Sequence, residues 1–284
     1  MTSSPPPLLV DHPRLVDAAL LDHRLAPPAA PPTLGSGSTA RLRDRMARFS
    51  SSTEHRARRD RVDGLIAELE LSSLYDEVIA AADRFLARGD TSADVVALAS
   101  TVPTVALAAA MGWSNAASDA LVSDVQALAA AVGRGEPATV ATDAAVDRLL
   151  ARATDHGGDV DAGVSLLYQN ADATKALLLA TAAAEVDGHP RESAVRQTVR
   201  VAAEALTLTE AEGASVEVAA GSVLQLDLVA GDREFGHGHH ACPGRALAET
   251  IVDASLDVLR RRTDLAAAQI VRDDDGKIIT FHVG

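Results

Sequence analysis

The sequence predicts a mainly α-helical fold with a small β portion. Alanine, leucine and valine dominate the chain, in which 47% of residues are hydrophobic and only 2% are aromatic, and this composition favours closely packed helices with small residues at their contacts. Most of the chain has helical spacing of apolar residues, and the alternation typical of strands appears only beyond Gly188. The length allows a substantial core, and we expect one domain over residues 1–284.

The amino-terminal two thirds predicts helices separated by short breaks. Residues 14–25 have helical spacing. Residues 26–39 are rich in proline, glycine and serine and predict an exposed loop. From Ala40 to about Thr181, helix follows helix, with breaks at ARGDTS, MGWSNAAS, VGRGEPAT and DHGGD. Pro103 lies inside an apolar stretch, where it predicts a kink or a helix start.

The carboxyl-terminal part predicts two strands around one helix. In GSVLQLDLVA, Leu224, Leu226 and Leu228 alternate with polar residues after a turn, which predicts a strand. Residues 245–262 return to helical spacing, with arginines in the last turn. The stretch KIITFHV, residues 277–283, predicts a final strand.

The charge and hydropathy patterns exclude several classes of function. A formal net charge of -14 argues against a broad nucleic-acid surface, which needs clustered basic side chains. No apolar run reaches the roughly 18–20 residues that a membrane span requires. The start, MTSSPPPLLVDHPRLVD, lacks the basic and apolar regions of a signal peptide. We therefore expect a cytoplasmic protein without membrane or nucleic-acid partners.

Cys242 is the only cysteine of the chain and lies in a glycine-rich loop, FGHGHHACPG, directly before a predicted helix. Unpaired amides and the helix dipole at that position favour a thiolate, which is a good ligand for iron. The glycines let the backbone pass close to a flat ligand. Two other interpretations remain open: a buried small hydrophobic residue, or a zinc site with the neighbouring histidines. Zinc is disfavoured because structural sites usually take their ligands from two separated pairs.

This loop resembles the haem-binding loop of the cytochrome P-450 family, Phe-Gly-x-Gly-x-His/Arg-x-Cys-x-Gly followed by a helix, and every defined position matches. The resemblance implies a cytochrome P-450-like fold with haem b as cofactor and Cys242 as the axial thiolate ligand of its iron. It also implies that His240 lies near a haem propionate and that Phe235 packs by the sulfur. Gly238 and Gly244 complete the expected cofactor-binding residues of the loop.

Two further stretches resemble family segments that bind the haem propionates. TEHRARRDRV gives His55 and Arg59, whose spacing places both on one helix face. AVRQTVRVAAEALTL gives Arg200. Three basic groups around two carboxylates are reasonable, since a partly buried propionate needs charge-assisted hydrogen bonds. An exposed basic helix and a surface salt bridge are the alternatives for these residues.

SLLYQNADATKALLLA, residues 165–180, resembles the long helix that crosses the haem face and carries an acid followed by a threonine. Asp172 occupies the acid position, but Ala173 stands where the family has the threonine, and Thr174 follows. We expect Asp172 and Thr174 to be the catalytic residues, with Thr174, a water or a substrate hydroxyl serving in proton delivery. The alternative for Asp172 is a solvated helix acid.

The chain departs from the family pattern in two places and is shorter than typical members. Where the family has a Glu-x-x-Arg pair that locks the fold near the haem, the best register here gives Asp187-Gly188-His189-Pro190. Pro190 cannot replace a guanidinium that makes several hydrogen bonds. The irregular segment before the haem loop is nearly absent. These departures leave three alternatives open: the helices rearrange, another subunit covers the haem, or haem binding is weakened or lost.

The resemblance implies a haem-thiolate monooxygenase acting on a small or carrier-tethered organic molecule, with electrons from external ferredoxin- and reductase-type proteins. A second hypothesis is a haem-free helper protein of the same fold that binds and activates a partner enzyme. A third keeps the haem but catalyses a reaction other than monooxygenation. Flavin and nicotinamide are not expected to bind this chain.

Overall fold

The computed structural model describes residues 6–50, 52–88, 93–209, 215–230, 232–274 and 276–283. Within these ranges the protein is mostly helical with small sheets, as the sequence predicts. The helices are α1 (Pro13–Leu21), α2 (Ser38–Arg45), α3 (Ser52–Ala67), α4 (Leu71–Leu86), α5 (Val95–Ala110), α6 (Asp119–Val132), α7 (Val140–His156), α8 (Val160–Asp187) and α9 (Arg245–Arg262). The strands are β1 (Leu8–Val10), β2 (Leu25–Ala26), β3 (Ala93–Asp94), β4 (Gln197–Ala202), β5 (Leu206–Thr209), β6 (Ser215–Val218), β7 (Val223–Asp227), β8 (Gln269–Arg272) and β9 (Ile278–Val283).

Helix α8 is the central element of the helical core. Its 28 residues begin after Asp159, whose side chain accepts a hydrogen bond from the Ala162 amide. It ends at Gly188, which adopts φ 67°, a left-handed conformation that favours glycine. Along its length α8 packs against α3, α5, α6, α7 and α9. A long helix with neighbours on several sides can present one stretch of its surface to an internal cavity.

Helix α5 lies between α4 and α8 and stays continuous through Pro103. It begins at Val95, where the Asp94 carboxylate accepts a hydrogen bond from the Ala97 amide. The expectation that Pro103 starts a helix is therefore wrong, since the cap lies two turns earlier. Pro103 is buried, and its carbonyl oxygen accepts a hydrogen bond from α8.

The described strands form three small sheets. The four-stranded sheet has the order β1-β7-β4-β2, a pair of strands forms β5-β6, and the third sheet has the order β3-β9-β8. In the first sheet, Arg200 of β4 lies opposite Leu224 of β7 in an antiparallel register. Because β7 leads directly toward the Cys242 loop, this sheet places Arg200 and the loop on the same side of the molecule.

Several boundaries agree with the sequence and others differ. Helix α9 coincides with the predicted residues 245–262, and β7 and β9 lie inside the predicted strands. Helix α1 stops at Leu21, because Leu25 instead pairs with Ala202 in β2. Helix α8 runs to Asp187, beyond the predicted end at Thr181, because no helix-breaking residue occurs before Gly188.

The segment 26–39 is only partly the exposed loop that its composition predicts. It contains a 3-10 turn, Pro32–Leu34, in which Leu34 is buried against Ala40 and Ala131. Its last residues begin α2, where the backbone amide and hydroxyl of Thr39 both donate to Asp143. Tertiary contacts thus bury the carboxyl-terminal part of this segment. None of the described helices is both long enough and apolar enough to cross a bilayer.

Candidate functional site

A cavity of about 430 Å³ lies between α3, α8, β4 and the Cys242 loop. This volume is within the roughly 300–1,000 Å³ that is typical of ligand pockets. Apolar residues form most of the α8 and α9 walls, and basic residues come from α3, β4 and the turn before α3. The lining includes Leu166, Ala173, Thr174, Leu177, Leu247 and Ala248, together with His55, Arg59, Arg200, Phe235, Cys242 and Gly244. The structure therefore brings most of the predicted site residues to one cavity.

The Cys242 loop is folded back on itself by main-chain hydrogen bonds. The Cys242 amide donates to the Phe235 carbonyl at 2.7 Å, and the Ala241 amide donates to the Gly238 carbonyl at 3.1 Å. Helix α9 starts three residues after the cysteine. This arrangement leaves the Cys242 thiol exposed on the cavity wall, where it can bind a metal centre.

The cavity wall determines the ionisation of Cys242. Partial desolvation is the largest effect and raises the pKa of the thiol, although a hydrogen bond from the Gly244 amide and the positive charges of Arg59, Arg48 and Arg245 act in the opposite direction. The amide end of α9 therefore does not by itself make Cys242 a thiolate, contrary to the expectation from the sequence. A positively charged metal centre would supply the missing stabilisation.

Glycine is needed at Gly238 for two reasons. Its φ of 59° is in the left-handed region, and a Cβ there would lie 2.4 Å from Leu21 Cδ2 of α1. Gly244 differs, because a Cβ at this position would make only ordinary contacts with Leu166 and Leu247 at 3.9 and 4.0 Å. Gly238 thus allows the loop to approach α1, whereas Gly244 lies on the cavity wall.

Arg59 connects α3 to the loop. Its Nη1 donates to the Ala241 carbonyl at 2.8 Å, and its Nε donates to Asp63 Oδ1 at 2.8 Å. His55 lies one turn earlier on the same face, and its ring makes an edge-to-face contact with His239 at a centroid distance of 6.1 Å. Burial lowers the pKa of His55 below its ordinary value, so this imidazole is neutral at pH 7.

Arg200 projects from β4 into the cavity. Its Nη1 donates to Thr198 Oγ1 at 3.0 Å and to the Val199 carbonyl at 2.9 Å. Its Nε is buried and has no hydrogen-bond partner among the described residues. Burial, followed by the positive charge of Arg48, lowers the pKa of Arg200 to about 10. A buried guanidinium atom without an acceptor fits a site that binds a ligand carboxylate.

Asp172 does not face the cavity. Its carboxylate is exposed and lies 2.9 Å from Arg134 Nη1. Ala173 and Thr174 line the cavity instead. Since successive helix residues point about 100° apart, the face of α8 that carries Ala173 and Thr174 excludes Asp172. This geometry gives no support to the expected catalytic role of Asp172, which stays a prediction.

Thr174 is buried on the cavity wall and hydrogen-bonded to a residue that the sequence reasoning missed. Its Oγ1 donates to Asn170 Oδ1 at 2.7 Å, and Asn170 Nδ2 donates to the Pro103 carbonyl at 3.0 Å. The spacing of four residues between Asn170 and Thr174 was the available signal, because such pairs meet on one helix face. The network fixes the Thr174 hydroxyl and ties α8 to α5.

Arg191 and Glu234 form an ion pair beside the Cys242 loop. Arg191 Nη1 donates to Glu234 Oε2 at 2.8 Å, Arg191 Nη2 donates to Glu234 Oε1, and the Ala194 amide donates to Glu234 Oε2 at 3.0 Å. The pair joins the short connection between α8 and β4 to the residue before Phe235. No sequence pattern marks a replacement for the absent Glu-x-x-Arg pair, and this ion pair is a candidate.

Phe235 and His240 are the other residues of the loop that were expected to contact the haem. Phe235 lines the cavity, and the Arg245 guanidinium lies 4.7 Å from its ring centre. The side chain of His240 is outside the described part of the structure, so its expected position near a propionate stays a prediction. Among the side chains that are described, no group of three His, Cys, Asp or Glu residues is arranged to hold a metal ion, which gives no support to a zinc site.

No protein-family model and no curated protein matches this chain. Solved structures do match it over 97% of its length. P450BioI in complex with an acyl carrier protein ligated to hexadec-9Z-enoic acid has a TM-score of 0.73 at 16% identity, with 91% of that chain covered. Epothilone B-bound P450epoK has a TM-score of 0.73 at 17% identity and 90% coverage. CxnD, a cytochrome P-450 enzyme for C–S bond formation in chuangxinmycin biosynthesis, has a TM-score of 0.66 at 17% identity and 87% coverage. The chain therefore has the cytochrome P-450 fold.

Proposed function

We propose that this protein, which has the cytochrome P-450 fold, is a compact single-domain haem-thiolate oxidoreductase in which the Cys242 thiolate would hold the iron of haem b. The observation that carries the proposal is the Cys242 thiol on the wall of a cavity of about 430 Å³ that also contains the unsatisfied Nε of Arg200. A sulfur ligand for iron and cations for carboxylates are the groups that haem requires. The residues present therefore fit this cofactor.

Each wall of the cavity has a distinct task in this proposal. Cys242 would hold the iron, Arg59 holds the loop in place through Ala241, and Arg200 would bind a carboxylate of the haem. When bound through a thiolate, haem supplies the capacity to activate dioxygen or peroxide. The apolar residues of the α8 and α9 walls would position an organic substrate. Thr174 uses its only hydroxyl proton on Asn170, so toward the cavity it presents an acceptor to a substrate hydroxyl or a water.

The substrate is proposed to be a small or carrier-tethered organic molecule, and the electrons are proposed to come from external ferredoxin- and reductase-type proteins. The complex of P450BioI with a loaded acyl carrier protein supports a carrier-tethered substrate. The largely aliphatic lining of the cavity supports an apolar substrate portion.

A turnover assay tests the proposal. The protein is expressed with a haem precursor and supplied with a surrogate ferredoxin, its reductase, dioxygen and a panel of free and carrier-tethered acyl substrates. We expect a product that gains one oxygen atom, and none with Cys242→Ser. A folded, colourless protein that takes up no added haem contradicts the proposal and favours the haem-free helper protein.

The position of Asp172 favours one second candidate, a haem-dependent reaction other than monooxygenation. Asp172, the acid predicted to deliver protons, does not line the cavity and pairs with Arg134. Turnover in the absence of both reductant and dioxygen would support this candidate. Asp172→Asn should leave either activity unchanged, because its carboxylate does not reach the cavity.

A further inference from the structure

Among the described residues, four basic side chains line the cavity, and two of these have no carboxylate within ion-pair distance and are not neutralised by burial. Arg59 already pairs with Asp63 at 2.8 Å and donates to Ala241. His55 is neutral at pH 7 because burial lowers its pKa. Arg200 and Arg48 remain. The count matters because haem has two carboxylates that need positive partners in a partly buried site.

Arg48 lies in a 3-10 turn, Ala47–Phe49, between α2 and α3. Its guanidinium carbon is 6.0 Å from the centre of the Phe49 ring, and both residues line the cavity. In the part of the chain that the structure describes, neither Arg48 nor Arg200 has a carboxylate within ion-pair distance. Neighbouring arginines differ in this respect, since Arg45 pairs with Asp161 and Arg58 with Glu54.

Arg48 and Arg200 act on each other as like charges. The charge of Arg48 disfavours the charged form of Arg200, whose Nε is already desolvated without an acceptor. Arg48 is exposed, so solvent screens this repulsion and it costs the protein little stability. An anion that binds both groups removes the repulsion and satisfies the buried Nε. The pair therefore has the charge and the hydrogen-bonding capacity of a carboxylate site.

We infer that Arg48 is a further cofactor-binding residue, which together with Arg200 binds one carboxylate of the haem. The inference rests on the proposed function. It assigns Arg59 and His55 chiefly to holding the loop and to shaping the cavity wall, and it assigns the direct charge neutralisation at this carboxylate to Arg48 and Arg200.

The test compares haem with its dimethyl ester, in which both carboxylates are capped. Both ligands are titrated into the haem-free full-length protein, and the dissociation constants are measured for the wild type and for Arg48→Gln. The matched control is Arg84→Gln, which removes the same charge from an exposed position on α4 that does not line the cavity. Loss of one charge-assisted hydrogen-bonded contact should weaken haem binding about tenfold. Binding of the diester should change less than about twofold, and Arg84→Gln should affect neither ligand.

The thermal midpoint of the haem-free protein is the second measurement. Arg48→Gln should leave that midpoint unchanged or raise it slightly, because the variant removes only a screened repulsion from the empty cavity. Lower affinity for haem without lower stability of the haem-free protein supports a binding role and excludes misfolding.

The possible failures are distinguishable. Equal haem affinity of Arg48→Gln and wild type overturns this inference and leaves the proposed function intact. Equal weakening of haem and its diester also overturns it, because the carboxylates would then not be the partners. A wild-type protein that binds neither ligand overturns the proposed function together with the inference.

Discussion

Arg59 Nη1 and the carbonyl oxygen of Ala241 are 2.8 Å apart, so a hydrogen bond joins α3 to the residue directly before Cys242. The donor and acceptor are 182 residues apart in sequence. The second guanidinium contact, from Nε to Asp63 Oδ1, fixes the orientation of the fork. The loop that carries the cysteine is therefore held from outside as well as by its own hydrogen bonds.

Arg59→Gln should loosen the Cys242 loop. We expect about tenfold weaker haem binding and faster alkylation of Cys242 by iodoacetamide in the haem-free protein, since a charge-assisted hydrogen bond is lost. Titration and mass spectrometry measure the two effects. Arg56→Gln, at an exposed position of the same helix, is the control and should behave as the wild type. If Arg59→Gln matches that control in both assays, the hydrogen bond from Arg59 to Ala241 does not hold the loop.

The Arg191–Glu234 ion pair should stabilise the fold cooperatively. A double-mutant cycle with Arg191→Ala and Glu234→Gln should give a coupling of about 1–2 kcal/mol in the free energy of urea unfolding, between the values of exposed and buried pairs. The exchanged variant, Arg191→Glu with Glu234→Arg, should recover part of the haem affinity that each single change loses. Additive single effects and no recovery would show that the pair does not lock the loop.

The same ion pair should make stability depend on acid pH. Arg191 lowers the pKa of Glu234 below its ordinary value of 4.5, so the folded state holds this carboxylate ionised more strongly than the unfolded state does. The stability difference between the wild type and Glu234→Gln should be complete above about pH 5 and should shrink as the pH falls through the lowered pKa. Unfolding titrations from neutral pH down to about pH 3 measure this difference. A difference that is constant over this range contradicts the assignment.

Gly238→Ala should destabilise the protein through the backbone and through Leu21. Forcing alanine to a φ of 59° with its Cβ 2.4 Å from Leu21 Cδ2 should cost about 1–3 kcal/mol of unfolding free energy. Adding Leu21→Ala should relieve the clash but not the backbone strain, and so restore only part of the loss. Gly244→Ala, where space exists, should cost clearly less. Equal costs at both glycines would contradict the geometry.

The sequence predicted the features that local patterns determine. Helix α9, the breaks at MGWSNAAS, VGRGEPAT and DHGGD, and the Cys242 loop follow from periodicity, turn residues and a motif with many fixed positions. The predicted break at ARGDTS lies mostly outside the described residues. His55 and Arg59 could be paired because their spacing places them on one helix face. The fold was predicted mainly from one short loop with many fixed positions, and the structural matches confirmed it.

The features that were missed depend on tertiary placement. Asp172, Ala173 and Thr174 are consecutive, and which of them faces the cavity depends on the rotation of α8 about its axis, which the sequence does not specify. Arg48 lies in a turn without periodicity, and the pairing of Arg191 with Glu234 joins residues 43 positions apart. No local pattern marks either arrangement.

The central claim is that Cys242 ligates haem iron as a thiolate. The most direct measurement is the absorption spectrum of the haem-loaded protein after reduction and exposure to carbon monoxide, with Cys242→Ser as the matched variant. We expect a strongly red-shifted Soret band in the wild type that is absent in Cys242→Ser. A wild-type protein that binds haem without this band, or a variant that retains it, would contradict thiolate ligation by Cys242.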